Sequence, residues 1–286
     1  MRFKLYLRPI SSHPRIMWNY HYPLSTFLYA KIALADKNYG TFLHDTGYKL
    51  NNKKNFKHFT FSDLRCKIGK SDTKGFEVVS PLIEWTVSFY IDKAAESFIV
   101  GLFQDQEIQL FDKFHDAKFI IERVETLPEP VILTTTKLKA TSAMVVAEKM
   151  NDMDQYLEPT DERFSKYLID GLRDKYLSAM IERGEKINPD FQHQEISFKL
   201  TESSNIKSRK ITIKDGKSSA TEVRGFRNFE FELTAPEEII KVGLYGGWGK
   251  KQVRGLGFVR WWVNEPFKDS YNFKLIFFTK KYECIP

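Results

Sequence analysis

The chain is predicted to be an α+β protein made of two tandem ferredoxin-like (RRM-like) βαββαβ units, on three observations. Segments with a two-residue apolar period and segments with a helical one follow each other as strand, helix, two strands, helix, strand. A connector with two prolines, Leu127–Pro130, interrupts that order, which then resumes. At 286 residues the chain is long enough for two units that each bury a core. The spacing bounds the units at 1–126 and 131–263, with 264–286 as a C-terminal extension.

In the first unit Arg2–Arg8 alternates as a strand, and Pro23 opens a helix with Leu24, Leu28, Ile32 and Ala35 on one stripe. Phe56–Leu64 and Phe76–Ile91 read as β-rich, with Gly69–Gly75 as the turn between them. Ala94–Gln104 is a second amphipathic helix, and Glu107–Val124 returns to strand. In the second unit Val131–Ala140 is strand-like, and Thr160 caps a long helix that runs to about Glu182. Ile196–Leu200, Ile206–Lys214 and Phe226–Leu233 supply strands, with Asp215-Gly216 as a hairpin turn. Glu237–Val242 is a short helix and Leu256–Val263 closes the set. In the extension, Phe273–Phe278 is strongly apolar; it is free to add an edge strand, meet a partner or cover the glycine-rich loop.

A net charge of +7 and a pI near 9.1 favour an acidic partner, most economically nucleic acid. Two cysteines, Cys66 and Cys284, are too few for a disulfide framework or a thiolate metal site and fit a reducing, cytoplasmic setting. No apolar run reaches the roughly 18 residues of a membrane span, so no membrane partner is expected. HExxH is absent, no carboxylate pair has metal-site spacing, and the six histidines are dispersed, so neither a metal nor a cofactor is expected.

The stretch Gly243–Gly257, GLYGGWGKKQVRGLG, gathers six of the fifteen glycines around Lys250, Lys251 and Arg254. Glycine admits positive φ and close approach to peptide N–H groups, and three cations in one loop suit an anion such as a phosphate backbone. The spacing fits neither a P-loop nor a dinucleotide fingerprint. Expected phosphate contacts are Lys250, Lys251 and Arg254, with the N–H groups of Gly247 and Gly249 nearby; Trp248 either stacks on a base or anchors the loop. Lys207, Arg209 and Lys210, with Lys214 and Lys217, form a second basic stretch on the Ile206–Lys217 hairpin.

Metal-free cleavage of RNA uses the substrate's own 2'-OH against the adjacent phosphate, and it needs a base, an acid and a cation. All three types occur between Phe27 and Ser62. Tyr29 lies on the shoulder of the first helix's apolar stripe, His44 lies just beyond that helix, and Lys57 precedes the strand at Phe59. Lys53, Lys54 and His58 are alternatives for the cation or the second proton-transfer group.

The Gly243–Gly257 segment with its GLGFV end, the tandem layout, and Tyr29 in a helix ahead of Leu43-His44-Asp45 together resemble the CRISPR-associated endoribonucleases that cut precursor CRISPR RNA within each repeat. These belong to the repeat-associated RNA-binding (RAMP) superfamily, and the resemblance runs from the first strand to about Val263. It implies metal-independent cleavage to 2',3'-cyclic phosphate and 5'-OH ends. His44 would be general acid or base, Tyr29 its partner at the 2'-OH or a positioning group, and Lys57 the cation at the phosphorane. It implies CRISPR repeat RNA (pre-crRNA) as the partner and is compatible with interference-complex subunits and with a homodimer. A non-catalytic RNA-binding scaffold subunit is the alternative.

Overall fold

Strand β1 (Arg2–Pro9) lies in the middle of the first sheet because its alternate residues Phe3, Leu5 and Leu7 are apolar and buried. The computed structural model describes residues 1–51, 54–151, 153–186, 191, 194–202, 205–213, 220–261 and 275–277. After β2 (Arg15–Met17), helix α1 (His21–Ala35) buries Leu24, Leu28 and Ile32. It starts two residues ahead of Pro23, whose missing N–H falls in the first turn, where no intrahelical acceptor exists. Helix α2 (Lys37–Asp45) follows at once, started by the Asp36 carboxylate, which accepts the Tyr39 N–H at 2.9 Å. His44, just beyond the first helix as expected, therefore lies in the last turn of a second one.

Hairpin β3 (Tyr48–Asn51) and β4 (Lys54–Phe56) precedes β5 (Phe59–Phe61). Strands β6 (Ile68–Ser71) and β7 (Gly75–Val78) join β2 in a small sheet, so the expected Gly69–Gly75 turn shrinks to residues 72–74. Then come β8 (Ile83–Phe89), α3 (Asp92–Gln104), β9 (Glu107–Phe111) and β10 (Asp116–Thr126). The single strand expected over Glu107–Val124 is a hairpin, reversed where Asp112 Oδ1 accepts the N–H groups of Phe114 and His115, each at 2.8 Å. The sheet runs β10-β1-β8-β5, antiparallel throughout, which is the fourth-first-third-second order of a ferredoxin-like unit.

The second unit repeats that order. It contains β11 (Thr135–Ala140), the β12 (Ala147–Met150) and β13 (Met153–Tyr156) hairpin, α4 (Glu162–Arg183) and β14 (Ser197–Leu200). The β15 (Lys207–Ile213) and β16 (Thr221–Arg227) hairpin, β17 (Phe229–Thr234), α5 (Glu237–Gly246) and β18 (Val259–Trp261) complete it. Its sheet is β18-β11-β17-β14. Asp161, not Thr160, caps α4, accepting the Arg163 N–H at 2.9 Å. The strand expected over Phe226–Leu233 breaks at Asn228, φ 61°. Lys214, Asp215-Gly216, Lys217 and residues 262–263 lie outside the described residues. Of the extension, β19 (Leu275–Phe277) is described, and it adds an edge strand to β10.

The two units share one apolar core. Buried Arg2 of β1 donates to the carbonyls of Leu244 at 2.6 Å and Val259 at 3.3 Å, with its guanidinium 4.5 Å from the Phe258 ring centre. From the other side Ser178 Oγ of α4 meets His58 Nε2 at 2.8 Å, while Lys175 of the same helix, fully buried, donates to the carbonyl of Gly247 within the second unit.

Candidate active site at the junction of the two units

Tyr29, His44 and Lys57 converge although they come from α1, α2 and the segment before β5. The Tyr29 ring meets the His44 imidazole edge-on at 5.0 Å and the Phe59 ring at 5.4 Å. Lys57 Nζ donates to the His44 carbonyl at 2.8 Å, across the turn at Gly47. Gly47 has φ +66°, and a Cβ there would come 2.5 Å from the Phe56 carbonyl. Glycine is thus what lets the chain turn from α2 back along Lys57.

The three groups differ in electrostatics. Burial pushes the Tyr29 phenol well above its ordinary value, so its hydroxyl stays protonated at neutral pH and serves as a donor, not as a base. Burial also pushes the Lys57 ammonium down to about 8, against a smaller opposing pull from Asp45. His44 is exposed, and its Nδ1 lies 2.7 Å from Asp45 Oδ1. A carboxylate there requires the proton on Nδ1, which leaves the Nε2 lone pair as the proton acceptor of a neutral ring.

The glycine-rich segment has another local structure than expected. Its first four residues belong to α5, and the Trp248 ring fills the space over Gly243, where a Cβ would lie 2.5 Å away. Trp248 is fully buried and anchors the loop, so it offers no stacking face. The Gly247 N–H donates to the Gly243 carbonyl at 2.9 Å, so it is spent on closing the helix rather than held for a phosphate. Gly249 has φ +70° and rests on the Val145 carbonyl. A short 3-10 turn, Gln252–Arg254, then packs on α1 and β5.

The predicted cations separate. Lys251 is exposed, whereas Lys250 is paired with Asp154 at 3.0 Å. Arg254 sits over the Tyr22 ring at 4.6 Å, beside Ser25 Oγ at 3.5 Å, and near the Tyr29 phenol. On β15 the side chains alternate, so Lys210 points away from Lys207 and Arg209 and pairs with Glu222 at 2.7 Å; Lys207 is exposed. Arg209 is bound to Asp63 at 3.2 Å, and Arg227 reaches the same carboxylate at 3.0 Å. Of the alternatives, Lys54 pairs with Asp174, Lys53 lies outside the described residues, and His58 is buried against α4 with its imidazole pushed down to about 3 by burial. His58 therefore does not join Tyr29 and His44.

Sequence reading missed Tyr22, Ser25, His21 and Asp63. Tyr22, Ser25 and Tyr29 recur at three and four residues, a polar stripe next to the apolar one of α1, and that spacing was the available signal. His21 Nε2 lies 2.6 Å from Asp63 Oδ1, and its Nδ1 is buried without a partner. Burial pushes the His21 imidazole down, so the ring is neutral and donates through Nε2. For Asp63, burial acts upward, but the His21 hydrogen bond and the charges around it hold the carboxyl down at about 2.

Two ferredoxin-like units fused through a shared core, with a phenol, an imidazole and two part-buried cations where they meet, define a tandem ferredoxin-like protein. Residues 15–125 match the family model "CRISPR-associated protein Cas6, N-terminal" and residues 127–261 match "CRISPR associated protein Cas6, C-terminal". The chain belongs to the Cas6 family of CRISPR-associated proteins. It is 24% identical over 265 residues to CRISPR-associated endoribonuclease Cas6 1 of Methanocaldococcus jannaschii, covering 91% of each chain. It is 22% identical over 290 residues to CRISPR-associated endoribonuclease Cas6 of Pyrococcus furiosus, covering 99% of this chain and 98% of that one. A solved Cas6-related protein from Pyrococcus furiosus superposes with a TM-score of 0.74 at 21% identity, covering 93% of this chain and 99% of the other. No helix among the described residues is long and apolar enough to cross a membrane.

Proposed function

We propose that the protein is an endoribonuclease that cuts precursor CRISPR RNA within its repeats, without a metal, by attack of a 2'-OH on the adjacent phosphate. The observation that carries this reading is the convergence of Tyr29, His44 and Lys57 beside the turn that bears Arg254. His44 Nε2 takes the 2'-hydroxyl proton as the oxygen attacks phosphorus. The neutral Tyr29 hydroxyl donates a hydrogen bond that positions the reacting group, and the Lys57 ammonium offsets charge on the phosphorane. The bond to the 5' oxygen breaks and that oxygen takes a proton from water, leaving a 2',3'-cyclic phosphate and a 5'-OH, while the proton taken up by His44 Nε2 returns to solvent. Lys251 and Lys207, exposed and free of ion pairs among the described residues, carry flanking phosphates.

The repeat RNA is incubated with the protein in EDTA, beside the same RNA with a 2'-deoxy residue at the scissile nucleotide. Cleavage of the first and not of the second is expected. Tight binding with no cleavage of either would replace this reading by that of an RNA-binding scaffold.

A further inference from the structure

Five of the cations around the candidate site and the basic hairpin are paired. Lys250, Lys54, Lys210, Arg209 and Arg227 each reach a carboxylate. Arg254 does not. Its guanidinium is half-buried, and its neighbours are the Tyr22 ring, Ser25 Oγ and the Tyr29 phenol, all uncharged at neutral pH. A desolvated cation without a counterion is costly, and an anion placed beside it recovers that cost.

The backbone beneath Arg254 is fixed. Lys251 and Gly255, which flank the 3-10 turn, have φ of 63° and 69°. Arg254 N–H donates to the Lys251 carbonyl at 3.0 Å, and Gly255 N–H to the Gln252 carbonyl at 2.9 Å. At Gly255 an added Cβ would stand 2.3 Å from the Phe61 ring, so the turn is seated directly on β5. The other half-buried cation here without a carboxylate bond is Lys57, whose bond goes to the His44 carbonyl. Lys57 borders the His44 end of the Tyr29 ring's surroundings and Arg254 borders the α1 N-terminal end, through Tyr22 and Ser25.

We propose that Arg254 is a catalytic residue that contacts the non-bridging oxygens of the reacting phosphate, sharing with Lys57 the charge that builds on the phosphorane, instead of gripping the flanking backbone. This rests on the endoribonuclease reading above. A planar guanidinium suits two oxygens of one phosphate, and stacking on Tyr22 holds that plane without neutralising it.

The test uses the full chain and repeat RNA. Single-turnover cleavage at saturating protein is measured for wild type, Arg254→Lys and Arg254→Gln, together with Kd for the 2'-deoxy RNA and cleavage of the two phosphorothioate diastereomers at the scissile phosphate. Arg254→Gln should slow cleavage about 10²-fold to 10³-fold with Kd changed less than about tenfold, Arg254→Lys should recover part of the rate, and one diastereomer should lose its thio effect in Arg254→Gln. A saturated rate equal to wild type, or an unaltered thio effect with only Kd raised, would overturn the proposal and leave the endoribonuclease reading standing. If wild type binds without cutting, both fall. Unchanged affinity of the variants for the 2'-deoxy RNA separates lost chemistry from lost fold.

Discussion

At the scale of single residues, burial moves the proton affinities of Tyr29 and Lys57 in opposite directions. Tyr29 is buried and held neutral, Lys57 is half-buried with its ammonium lowered to about 8, and His44 stands in water with Nδ1 tied to Asp45. Replacing His44 by Ala removes the proton acceptor but no core contact. Cleavage is expected to fall about 10²-fold or more while RNA affinity stays within a few-fold, read by single-turnover rates and filter binding. Lys57 predicts an alkaline limb. In the proposed mechanism its proton is needed at the phosphorane and is lost above about pH 8, so the log of the rate should begin to fall near pH 8 and approach unit slope above about pH 9. Lys57→Arg keeps its charge throughout and should abolish that limb; a limb unchanged in the variant would move the titration to another group.

Among the elements, the glycine-rich segment is decided by packing more than by ligand approach. Gly243 makes room for the Trp248 ring, Gly257 for the Trp248 backbone, and Gly255 for the Phe61 and His21 rings. The segment is therefore a tenon that sets the turn of Arg254 on α1 and β5. Gly255→Ala adds a left-handed non-glycine residue and a methyl group 2.3 Å from a fully buried ring, and should lower unfolding free energy by about 3 kcal/mol. Gly184→Ala has the same left-handed φ, +65°, with nothing within 4 Å, and should cost about 1 kcal/mol. Urea denaturation of both variants checks the contrast; equal costs would mean that contact with β5 is not what the glycine serves.

Across the whole molecule, the junction of the units is polar as well as apolar. Asp63, beyond β5, receives His21 from α1 and Arg209 and Arg227 from the β15–β16 hairpin, and Arg2 crosses in the opposite direction from β1 to the second unit. Asp63→Ala leaves two guanidinium groups part-buried without a carboxylate and should cost about 2–3 kcal/mol by urea denaturation at pH 7. The Asp63 carboxyl is held at about 2 in the folded state, below an unfolded value near 4. Its stabilising effect is therefore complete above about pH 4 and lost as pH falls toward 2, so wild type and Asp63→Ala should converge in stability at the acid end.

The periodicities of 2 and 3.6, the LPEP connector and the basic composition were enough to read two ferredoxin-like units and an acidic partner, because strand alternation and helix stripes are local properties of the chain. Tyr29, His44 and Lys57 were legible as residue types with suitable chemistry, and the Gly243–Gly257 density marked a special backbone. What joins the chemistry is not local. Helix α2, which brings His44 round to Tyr29, depends on a cap by Asp36 and a close crossing at Gly40, where a Cβ would meet Ala33 at 2.5 Å. The assignment of Arg209 to Asp63, of Lys250 to Asp154 and of Arg254 to no carboxylate among the described residues depends on which side chains the fold brings up from distant parts of the chain. The sequence by itself determined the elements and the chemical types available, since those follow from neighbours a few residues apart. Only the tertiary structure decided which cations keep their charge free for an anion, since that follows from contacts between residues 96 to 229 positions apart.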